Sequence, residues 1–485
     1  MSVPTATALP VRSGLLAGLH ARNSADGWLS RDAVSEVARA CRIPVAEAWE
    51  AATSYPQFAF APPTPGPQIC MGLSCVLNGA AVPDGAVATG CQFRCFDAPA
   101  PGADAAFPEA AIRVAGPLLE ADSDDWRGFE QASAMSREEA LAAVVGSGLR
   151  GRGGAYFPVG RKWESALAEQ RPIALVVNAE EGEPGVFKDR ALLGRRPRRF
   201  IEGLAIAMRV LAPALTVVFV NGEARAARES LEAILPGCDA VLPYSPTVIS
   251  GGGGYVLGEE TTLLNAIEGR KPVPRLRPPY PVESGLFGMP TVVNNVETIA
   301  NLSVLFRNPE AFRPSGTDAV TGTKLLSLSG RIRSPGLYEV PLGTPLSDVL
   351  NMAGGPIVGD ITAALVGGPS GGFLPPTEFG EVLRPGLMHP TGAVTGSGGI
   401  VVLDSSSDIR MAALAMAAYN AEESCGKCTP CREGSPRLHA LLTARSPGPL
   451  EPLLEVLGAA SLCGLGQMAP GPVRSALFFW PELFS

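Results

Sequence analysis

Three cysteines within seven residues constrain this chain more tightly than any other feature. Residues 422–434 read EESCGKCTPCREG, with thiols at Cys425, Cys428 and Cys431, and a fourth, Cys463, arrives later in SLCGLGQMAP. A cubane iron–sulfur cluster needs a thiolate at each of its four irons. Two-residue gaps let one tight loop reach three corners while a distant residue closes the fourth. Structural zinc sites come more often as two separated cysteine pairs. The spacing therefore predicts a [4Fe–4S] cluster on these four thiols, and a protein that moves electrons.

A second quartet sits near the N-terminus: Cys70 and Cys75 with four residues between them, Cys91 and Cys95 with three. Each pair suits one iron of a [2Fe–2S] rhomb; zinc and a vestigial site stay open on spacing alone. Cys41, on an apolar helical stripe, and Cys238, beside a turn, read as structural thiols. Ten cysteines without a disulfide framework fit a reducing compartment. No apolar run approaches the roughly 20 residues needed to span a bilayer, and the N-terminus lacks a basic start followed by a long apolar block. A cytoplasmic location without direct membrane insertion is expected. The net charge of −8 argues against nucleic acid, which needs a concentrated basic face. The dense basic stretch at residues 190–199 is read as a solvated face.

With 485 residues the chain exceeds a single core, and about three or four domains are expected. Residues 10–58 read as helical. Ser30 is placed to cap a helix whose apolar positions Ala33, Val34, Val37, Ala38 and Cys41 recur at three and four residues; a second helix covers 45–53. Residues 98–117, rich in Ala, Pro and Gly, read as a linker. From about 135 to 310 the pattern turns α/β, with buried-strand runs at 174–177 and 215–220 and helical segments such as 223–235. Residues 322–402 combine short strand-like runs, glycine turns and one helix at 345–352. Helical periodicity returns from Asp408 and encloses the C-terminal cysteines. No internal repeat is found.

The α/β stretch holds two glycine-rich loops and two carboxylate clusters. Residues 148–163, GLRGRGGAYFPVGRKW, put Gly151, Gly153, Gly154 and Gly160 where the backbone can approach a phosphate, with Arg152, Arg161 and Lys162 adding charge. The loop is neither GxGxxG nor the Walker lysine loop, so a plain surface turn stands beside the phosphate reading. Residues 250–260, SGGGGYVLGEE, end in Glu259 and Glu260. NAEEGEPG brings Asn178, Glu181 and Glu183 directly after a strand, where ligand crevices of α/β sheets lie. Carboxylates and amides there suit ribityl and ribose hydroxyls; a solvated acidic loop is the bland alternative. PTVVNNVET sets Asn294 and Asn295 beside Val292 and Val293. The paired amides suit a flavin or nicotinamide edge, or equally cap a turn.

GRGGAYFPVGRKW, NAEEGEPGVFKDR, GEETTLLNAIEGRKPVPRLRPPYP, GLFGMPTVVNNVET and ESCGKCTPCREG occur in that order. With them, the chain from about 135 onward resembles the flavin- and NADH-binding subunit of respiratory complex I. It is equally similar to the diaphorase subunits of NAD-linked formate dehydrogenases and NAD-reducing hydrogenases, and the closing GLGQMAPGPVRSALFFWPELF leans toward those two. LLAGLHARNSADGWLSRDAVSEVARACRIPVAEAWEAATSYPQF and the N-terminal quartet are similar to the family's small [2Fe–2S] subunit. The chain reads as a fusion of the two subunits.

The resemblance implies an α/β multidomain fold. Its parts are a helical plus trimmed thioredoxin-like [2Fe–2S] domain (1–115), an α/β FMN/NAD-binding domain (135–315), a ubiquitin-like β-grasp insert (322–402) and a C-terminal helical [4Fe–4S] domain (405–485). It implies FMN held by Gly151, Arg152, Gly153, Gly154, Gly160, Lys162, Asn178, Glu181, Asn294 and Asn295, with Glu180 and Val292 also at the cofactor site. NAD(H) is expected near Phe157, Glu183, Tyr255, Gly258, Glu259 and Glu260. No side chain is expected to act as a proton-transferring base, because the cofactor carries the chemistry. Arg432 either tunes the C-terminal cluster by its charge or faces solvent. The implied activity is that of an NADH:acceptor oxidoreductase subunit. Its expected partner is the molybdenum or tungsten subunit of a formate dehydrogenase, with complex I or a nickel hydrogenase as alternatives. No molybdopterin or nickel motif occurs in this chain.

Three departures from the family pattern matter. The spacer between Cys75 and Cys91 is short, which removes a helix and trims the thioredoxin-like lobe. Tyr156 replaces the last glycine of GRGGAGFP. Glu180 stands for an aspartate and Ser165 for an adenine-stacking phenylalanine, both bearing on NAD(H) affinity. Tyr156 and the shortened N-terminal lobe motivate a rival reading, a non-catalytic scaffold with degenerate cofactor sites; the intact cysteines and loop glycines oppose it. A zinc-binding interaction protein is the third.

Overall fold

The computed structural model describes residues 9–55, 58–100, 109–123, 125–312, 316–317, 320–444 and 450–484. The chain forms two compact units. The first comprises Met1–Pro63, Pro117–Gly182 and Asp189–Gly322; the second comprises Thr64–Gly116, Glu183–Lys188 and Thr323–Ser485. The helical start thus belongs to the first unit and the N-terminal cysteine quartet to the second.

In the first unit, the Ser30 hydroxyl accepts from the Ala33 N–H at 3.1 Å and starts helix Arg31–Ala40. The stripe Ala33, Val34, Val37 and Ala38 is buried, as its spacing predicts. Helices Leu15–Asp26 and Val45–Ala52 flank it. A four-stranded sheet follows in the order Thr247–Ser250, Leu215–Val220, Ala174–Ala179, Thr291–Asn295, with every pairing parallel. The two inner strands are apolar but for Asn178 and Thr216 and are almost wholly buried, the mark of strands covered on both faces. The outer two carry polar residues and do not stand out in the sequence. Val176, Val217, Phe219 and Ile249 share one apolar cluster with Leu19, Val34, Ala51 and Phe58. Each such side chain contributes about 1.5–3 kcal/mol when fully buried.

Residues 190–199 are not a solvated face. Helix Pro197–Leu211 is buried almost all round, and its arginines are carried inward with it. Arg199 is buried, Arg196 Nε donates to Leu119 O at 2.9 Å, and the Arg198 guanidinium lies 4.3 Å over the Trp126 ring. Buried charge persists only when paired, and here carbonyls, a ring and carboxylates supply the partners.

The second unit contains a mixed six-stranded sheet. Its order is Gly372–Leu374, Ile361–Val366, Gly399–Asp404, Thr323–Gly330, Gly336–Pro341, Ile112–Val114. Thr323–Gly330 pairs antiparallel with Gly336–Pro341 and parallel with Gly399–Asp404, and helix Leu346–Met352 falls where its periodicity predicts. Ile112–Val114 pairs with Gly336–Pro341, so the end of the stretch read as a linker is a strand; residues 101–108 of that stretch lie outside the described residues. Around the N-terminal quartet, Gln68–Cys70 pairs in parallel with Val87–Thr89, and helix Leu73–Leu77 carries Cys75. Residues 78–86 contain no helix, which is the trimming the short spacer implies.

Five helices complete this unit: Ile409–Glu422, Thr429–Thr443, Glu451–Ala460, Gly464–Met468 and Pro470–Phe479. Asp408 caps the first through the Met411 N–H at 2.9 Å. Their core joins Met416, Leu438, Leu457 and Val473 to Leu73, Leu365 and Val401. Among the described residues, no helix is long and apolar enough to cross a membrane.

Candidate cofactor sites

The parallel strands of the first unit end at one edge. Their register sets Asn178 beside Asn295, and Ala179 beside Val220, which in turn faces Ser250. The acidic loop, Asn221, the glycine run and the asparagine pair therefore emerge together, at the edge where open parallel sheets bind ligands. Gly251, Gly252, Gly253 and Gly254 have φ between +69° and +149°, a run that only glycine adopts without cost. Asn178 fastens this loop to the strand end: its Nδ2 donates to Gly258 O at 2.9 Å and its Oδ1 accepts from the Glu180 N–H at 3.0 Å. The first glycine loop also comes close. A Cβ on Gly153 would lie 3.1 Å from Asn295 Cβ.

Most of the expected polar side chains already have partners. Glu259 Oε2 accepts from the N–H groups of Thr261 and Thr262 at 3.0 and 2.8 Å, capping helix Glu260–Ile267, and Arg277 pairs with it. Lys162 Nζ donates to Glu260 Oε2 at 3.2 Å and to Val293 O at 3.1 Å. Glu180 Oε1 accepts from Asn221 Nδ2 at 2.5 Å. Glu181 accepts from the N–H groups of Asp189 at 2.8 Å and Arg190 at 3.2 Å. Asn294 Oδ1 accepts from Trp163 Nε1 at 2.9 Å. Asn295 caps helix Val296–Arg307 through the Glu297 N–H at 2.9 Å, while its Nδ2 donates to Asp189 Oδ2 at 2.6 Å. Sequence reasoning missed Trp163, Asp189 and Asn221, the residues that hold the expected ones. Their contacts cross between elements, so no local pattern announces them.

The loop at 151–160 divides its labour. Arg152 is fully buried; its guanidinium donates to Arg150 O at 2.9 Å and Thr321 O at 2.7 Å, and its N–H to Thr298 Oγ1 at 2.8 Å. Burial holds its pKa below the usual arginine value, opposed by Glu297. It braces the loop from behind. Gly160 is a packing requirement: a Cβ there would lie 2.7 Å from Val145 Cα, where helix Val159–Ala168 meets helix Arg137–Gly146. Tyr156 is buried with φ +52°, whereas Phe157 is 51 % exposed. Gly154 takes φ +119° and Gly151 donates its N–H to Phe157 O at 2.9 Å, closing the turn. Val292 is buried in its strand, Tyr255 opens the turn Tyr255–Gly258, and Ser165 is exposed with its hydroxyl on Arg161 O.

Glu183 belongs to the second unit, where its Oε2 accepts from Ser397 Oγ at 2.6 Å. In the N-terminal quartet, Cys91 and Cys95 Sγ are 3.5 Å apart. Main-chain N–H groups of Gln92, Phe93 and Ala100 donate to Cys70, Cys91 and Cys75 at 3.4, 3.4 and 3.3 Å. A Cβ on Gly72 would lie 3.1 Å from Cys91 Sγ, so the loop packs tightly against that sulfur. Hydrogen bonds from Cys75 and Cys91 hold the Cys70 thiol far below its usual range, and both partners are pushed up. Sulfurs drawn together under N–H donors are the donor set of an iron–sulfur cluster, and they fit it.

In the C-terminal quartet, Cys428 and Cys463 precede helices Thr429–Thr443 and Gly464–Met468. The Leu462 N–H donates to Cys428 Sγ at 3.5 Å, which ties the two segments together, and Ser424 Oγ lies 3.3 Å from Cys431 Sγ. A Cβ on Gly466 would lie 3.0 Å from Cys431 Cβ. Burial pushes the Cys425 thiol up. Arg432 donates to Gly426 O at 3.0 Å and pairs with exposed Glu433, so it closes the cysteine loop from its solvent side. Among the described residues no three His, Cys, Asp or Glu converge on a single metal ion; a cubane requires no such convergence, since each thiolate meets its own iron. Cys41 and Cys238 are buried, as expected of structural thiols.

Four family profiles match the chain. They are the Nuo51 FMN-binding domain over 144–304, the thioredoxin-like [2Fe-2S] ferredoxin over 6–92, the SLBB domain over 326–374, and the NADH-ubiquinone oxidoreductase-F iron-sulfur binding region over 411–485. An NADH-quinone oxidoreductase subunit of Rhizobium meliloti (strain 1021) is 37% identical over 363 residues, which is 70% of this chain and 86% of that protein. The chain belongs to this family of diaphorase subunits. NADP-reducing hydrogenase subunit HndC of Solidesulfovibrio fructosivorans is 34% identical, over 73% of this chain and 76% of its own. A crystal structure of NAD+-reducing [NiFe]-hydrogenase in the H2-reduced state matches with a TM-score of 0.84 at 31% identity, covering 98% of this chain and 92% of that one. Membership gives a flavin-dependent NADH oxidoreductase subunit with FMN, NAD(H), a [4Fe–4S] and a [2Fe–2S] cluster, in the expected four-part architecture. The thioredoxin-like match ends before Cys95.

Proposed function

We propose that the chain binds FMN and NAD(H) at the C-terminal edge of its parallel sheet and passes electrons toward a catalytic partner subunit. One observation carries this reading. Asn178 joins the acidic strand end to the second glycine loop at 2.9 Å, beside Asn294 and Asn295, inside the segment matching the FMN-binding profile. Bound FMN would supply hydride acceptance and one-electron release, so the protein need supply position rather than a base. Gly151, Gly153 and Gly154 give a backbone cradle, Lys162 a cation held by Glu260, and Asn294 and Asn295 amides fixed by Trp163 and Asp189. Glu180, Glu181, Tyr255, Gly258 and Glu259 complete the cofactor surroundings in this reading. Cys425, Cys428, Cys431 and Cys463 hold the [4Fe–4S] cluster, and Cys70, Cys75, Cys91 and Cys95 the [2Fe–2S] cluster. Anaerobically purified protein is expected to release FMN on denaturation and to oxidise NADH with ferricyanide. Protein with full iron content that does neither overturns the reading.

The proposed partner is the molybdenum or tungsten subunit of a formate dehydrogenase, in the cytoplasm. The C-terminal run GLGQMAPGPVRSALFFWPELF, which leans toward the soluble dehydrogenases and hydrogenases rather than complex I, supports a partner of this group. A second reading, a nickel hydrogenase partner, has its own support: a single chain of an NAD+-reducing [NiFe]-hydrogenase matches 98% of this one. Native co-purification separates them. Molybdenum or tungsten with formate-dependent NAD+ reduction supports the first; nickel with H2-dependent reduction replaces it.

A further inference from the structure

In the first unit, the second glycine loop leaves the sheet at Ser250, and the N-terminal helical segment walls it on one side. Leu16, Tyr55, Ile249 and Leu257 share one apolar cluster. A Cβ on Gly251 would lie 3.1 Å from His20 Cβ and 3.3 Å from Leu16 Cγ. One on Gly252 would lie 2.9 Å from Tyr55 Cε1 and 2.8 Å from Leu257 Cδ2, so the backbone there is gripped between two side chains. One on Gly222 would lie 2.8 Å from His20 Cε1 and 2.9 Å from Gly252 O, so His20 also reaches the turn beside Asn221. Tyr55 is itself fixed. Its N–H donates to Ala52 O at 3.2 Å, and its buried ring stands edge-on to Phe58 at 5.4 Å. Burial, then the charge of Glu180, push its hydroxyl above the usual tyrosine range, which sets the ring near the acidic strand end. His20 Nδ1 is buried with no hydrogen-bond partner among the described residues, so the imidazole acts on the loop by its shape.

Consecutive glycines at positive φ have more backbone freedom to lose than any other run. Asn178 holds the far end of the loop at Gly258; at Gly251 and Gly252 the hold is packing from Leu16, His20 and Tyr55. A loop already held in its binding shape is spared that ordering cost when its ligand arrives. We propose that Tyr55, with His20 beside it, is a positioning residue for NAD(H), through which the N-terminal helical segment holds the second glycine loop in its ligand-binding shape. The proposal rests on the reading that NAD(H) binds at that loop.

The test uses the full chain with flavin and clusters present, assayed for NADH oxidation with ferricyanide and for NAD+ binding by isothermal titration calorimetry. A loop that must be ordered by its ligand weakens binding in the ground and transition states alike, so KM rises while kcat holds. Tyr55→Ala is expected to raise KM for NADH and the NAD+ dissociation constant roughly tenfold, at unchanged kcat and flavin content. Tyr55→Phe, which keeps the ring, is expected to match the wild type. Val34→Ala, a core truncation in the same helical segment, is expected to lower thermal stability without moving either constant. A folded Tyr55→Ala protein with wild-type constants overturns the proposal, and so does an equal rise in Val34→Ala or in Tyr55→Phe. Should Tyr55→Ala not fold, His20→Ala decides: a rise of roughly threefold supports the proposal, and unchanged constants overturn it. A flavin-loaded wild-type chain that binds no NAD+ and oxidises no NADH is a different failure: it refutes the NAD(H) reading, and the proposal with it.

Discussion

Glu181 and Arg190 form an ion pair at 3.0 Å with side chains only 3% and 8% exposed. The same carboxylate accepts the N–H groups of Asp189 and Arg190, so it caps helix Lys188–Arg195 as well as neutralising a guanidinium. Removing one partner of a buried pair costs about 3–5 kcal/mol, because the other charge stays behind in low dielectric. Glu181→Ala is therefore expected to lower unfolding free energy by about 3 kcal/mol or more, and Glu181→Gln by less, since its amide oxygen still accepts. Urea denaturation measures both; a loss below about 1 kcal/mol for the alanine variant contradicts the pairing.

The glycines of the first loop separate by what surrounds them. At Gly160 a Cβ would meet Val145 backbone at 2.7 Å, whereas at Gly237 it meets nothing within 4 Å. Gly160→Ala is expected to cost about 1–3 kcal/mol through overpacking, and Gly237→Ala to stay within about 0.5 kcal/mol of wild type. Thermal denaturation of the two side by side checks this. If FMN content of folded Gly160→Ala matches wild type at equal protein, the residue's role is packing; a flavin-free protein of unchanged stability reverses that assignment.

Tyr156 gives an unusual ranking of substitutions. Its φ of +52° costs a non-glycine residue about 1–2 kcal/mol, yet its ring is buried. Ring truncation costs about 3–5 kcal/mol, more than the strain, so both small substitutions destabilise. Tyr156→Gly relaxes the backbone and Tyr156→Ala does not. Glycine is thus expected to be the better tolerated, by about 1 kcal/mol, the reverse of the usual order in ordered segments. Equal stability of the two, or alanine ahead, would show that the backbone here is unstrained.

Much of the architecture is legible because it rests on local rules. Ser30 followed by buried positions at three and four residues needs nothing beyond its own helix, and Leu215–Val220 is a β-branched, aromatic run apolar but for Thr216. The site is legible only as a set of residue types. Glu259 reads as a ligand carboxylate beside a glycine loop, but two N–H groups of the helix it begins draw it into capping. Arg198 and Arg199 read as solvated because their partners, among them Trp126 and the segment around Asp122, lie some seventy residues earlier. Charge pattern in one window cannot reveal a partner in another.

Cluster content offers a direct count. With both quartets loaded, the chain is expected to carry about six irons, four and two. Cys463→Ala should leave about two irons and the [2Fe–2S] signal alone, because Cys463 closes the corner that the loop at 425–431 does not reach. Cys91→Ala should leave about four. Iron and acid-labile sulfide assays on the two variants check the assignment, and zinc in either place would replace it. Iron well below four in the wild type favours the scaffold reading instead.

His20 ties the helical start to the glycine loop: a Cβ on Gly251 would lie 3.1 Å from His20 Cβ, and one on Gly222 2.8 Å from its Cε1. Burial, then the charges of Arg228 and Arg225, hold its pKa below the ordinary histidine value. The unfolded chain therefore binds a proton at this site before the folded chain does. Folding stability from His20 is intact above about pH 6.5 and is lost progressively as pH falls from there through the lower folded-state pKa. His20→Gln, of similar size and uncharged at every pH, is expected to remove that part of the slope while leaving stability near pH 7.5 little changed. Unfolding free energies of wild type and variant between about pH 7.5 and 5.5 give the test. Parallel curves would mean that His20 takes up its proton equally well in the folded chain.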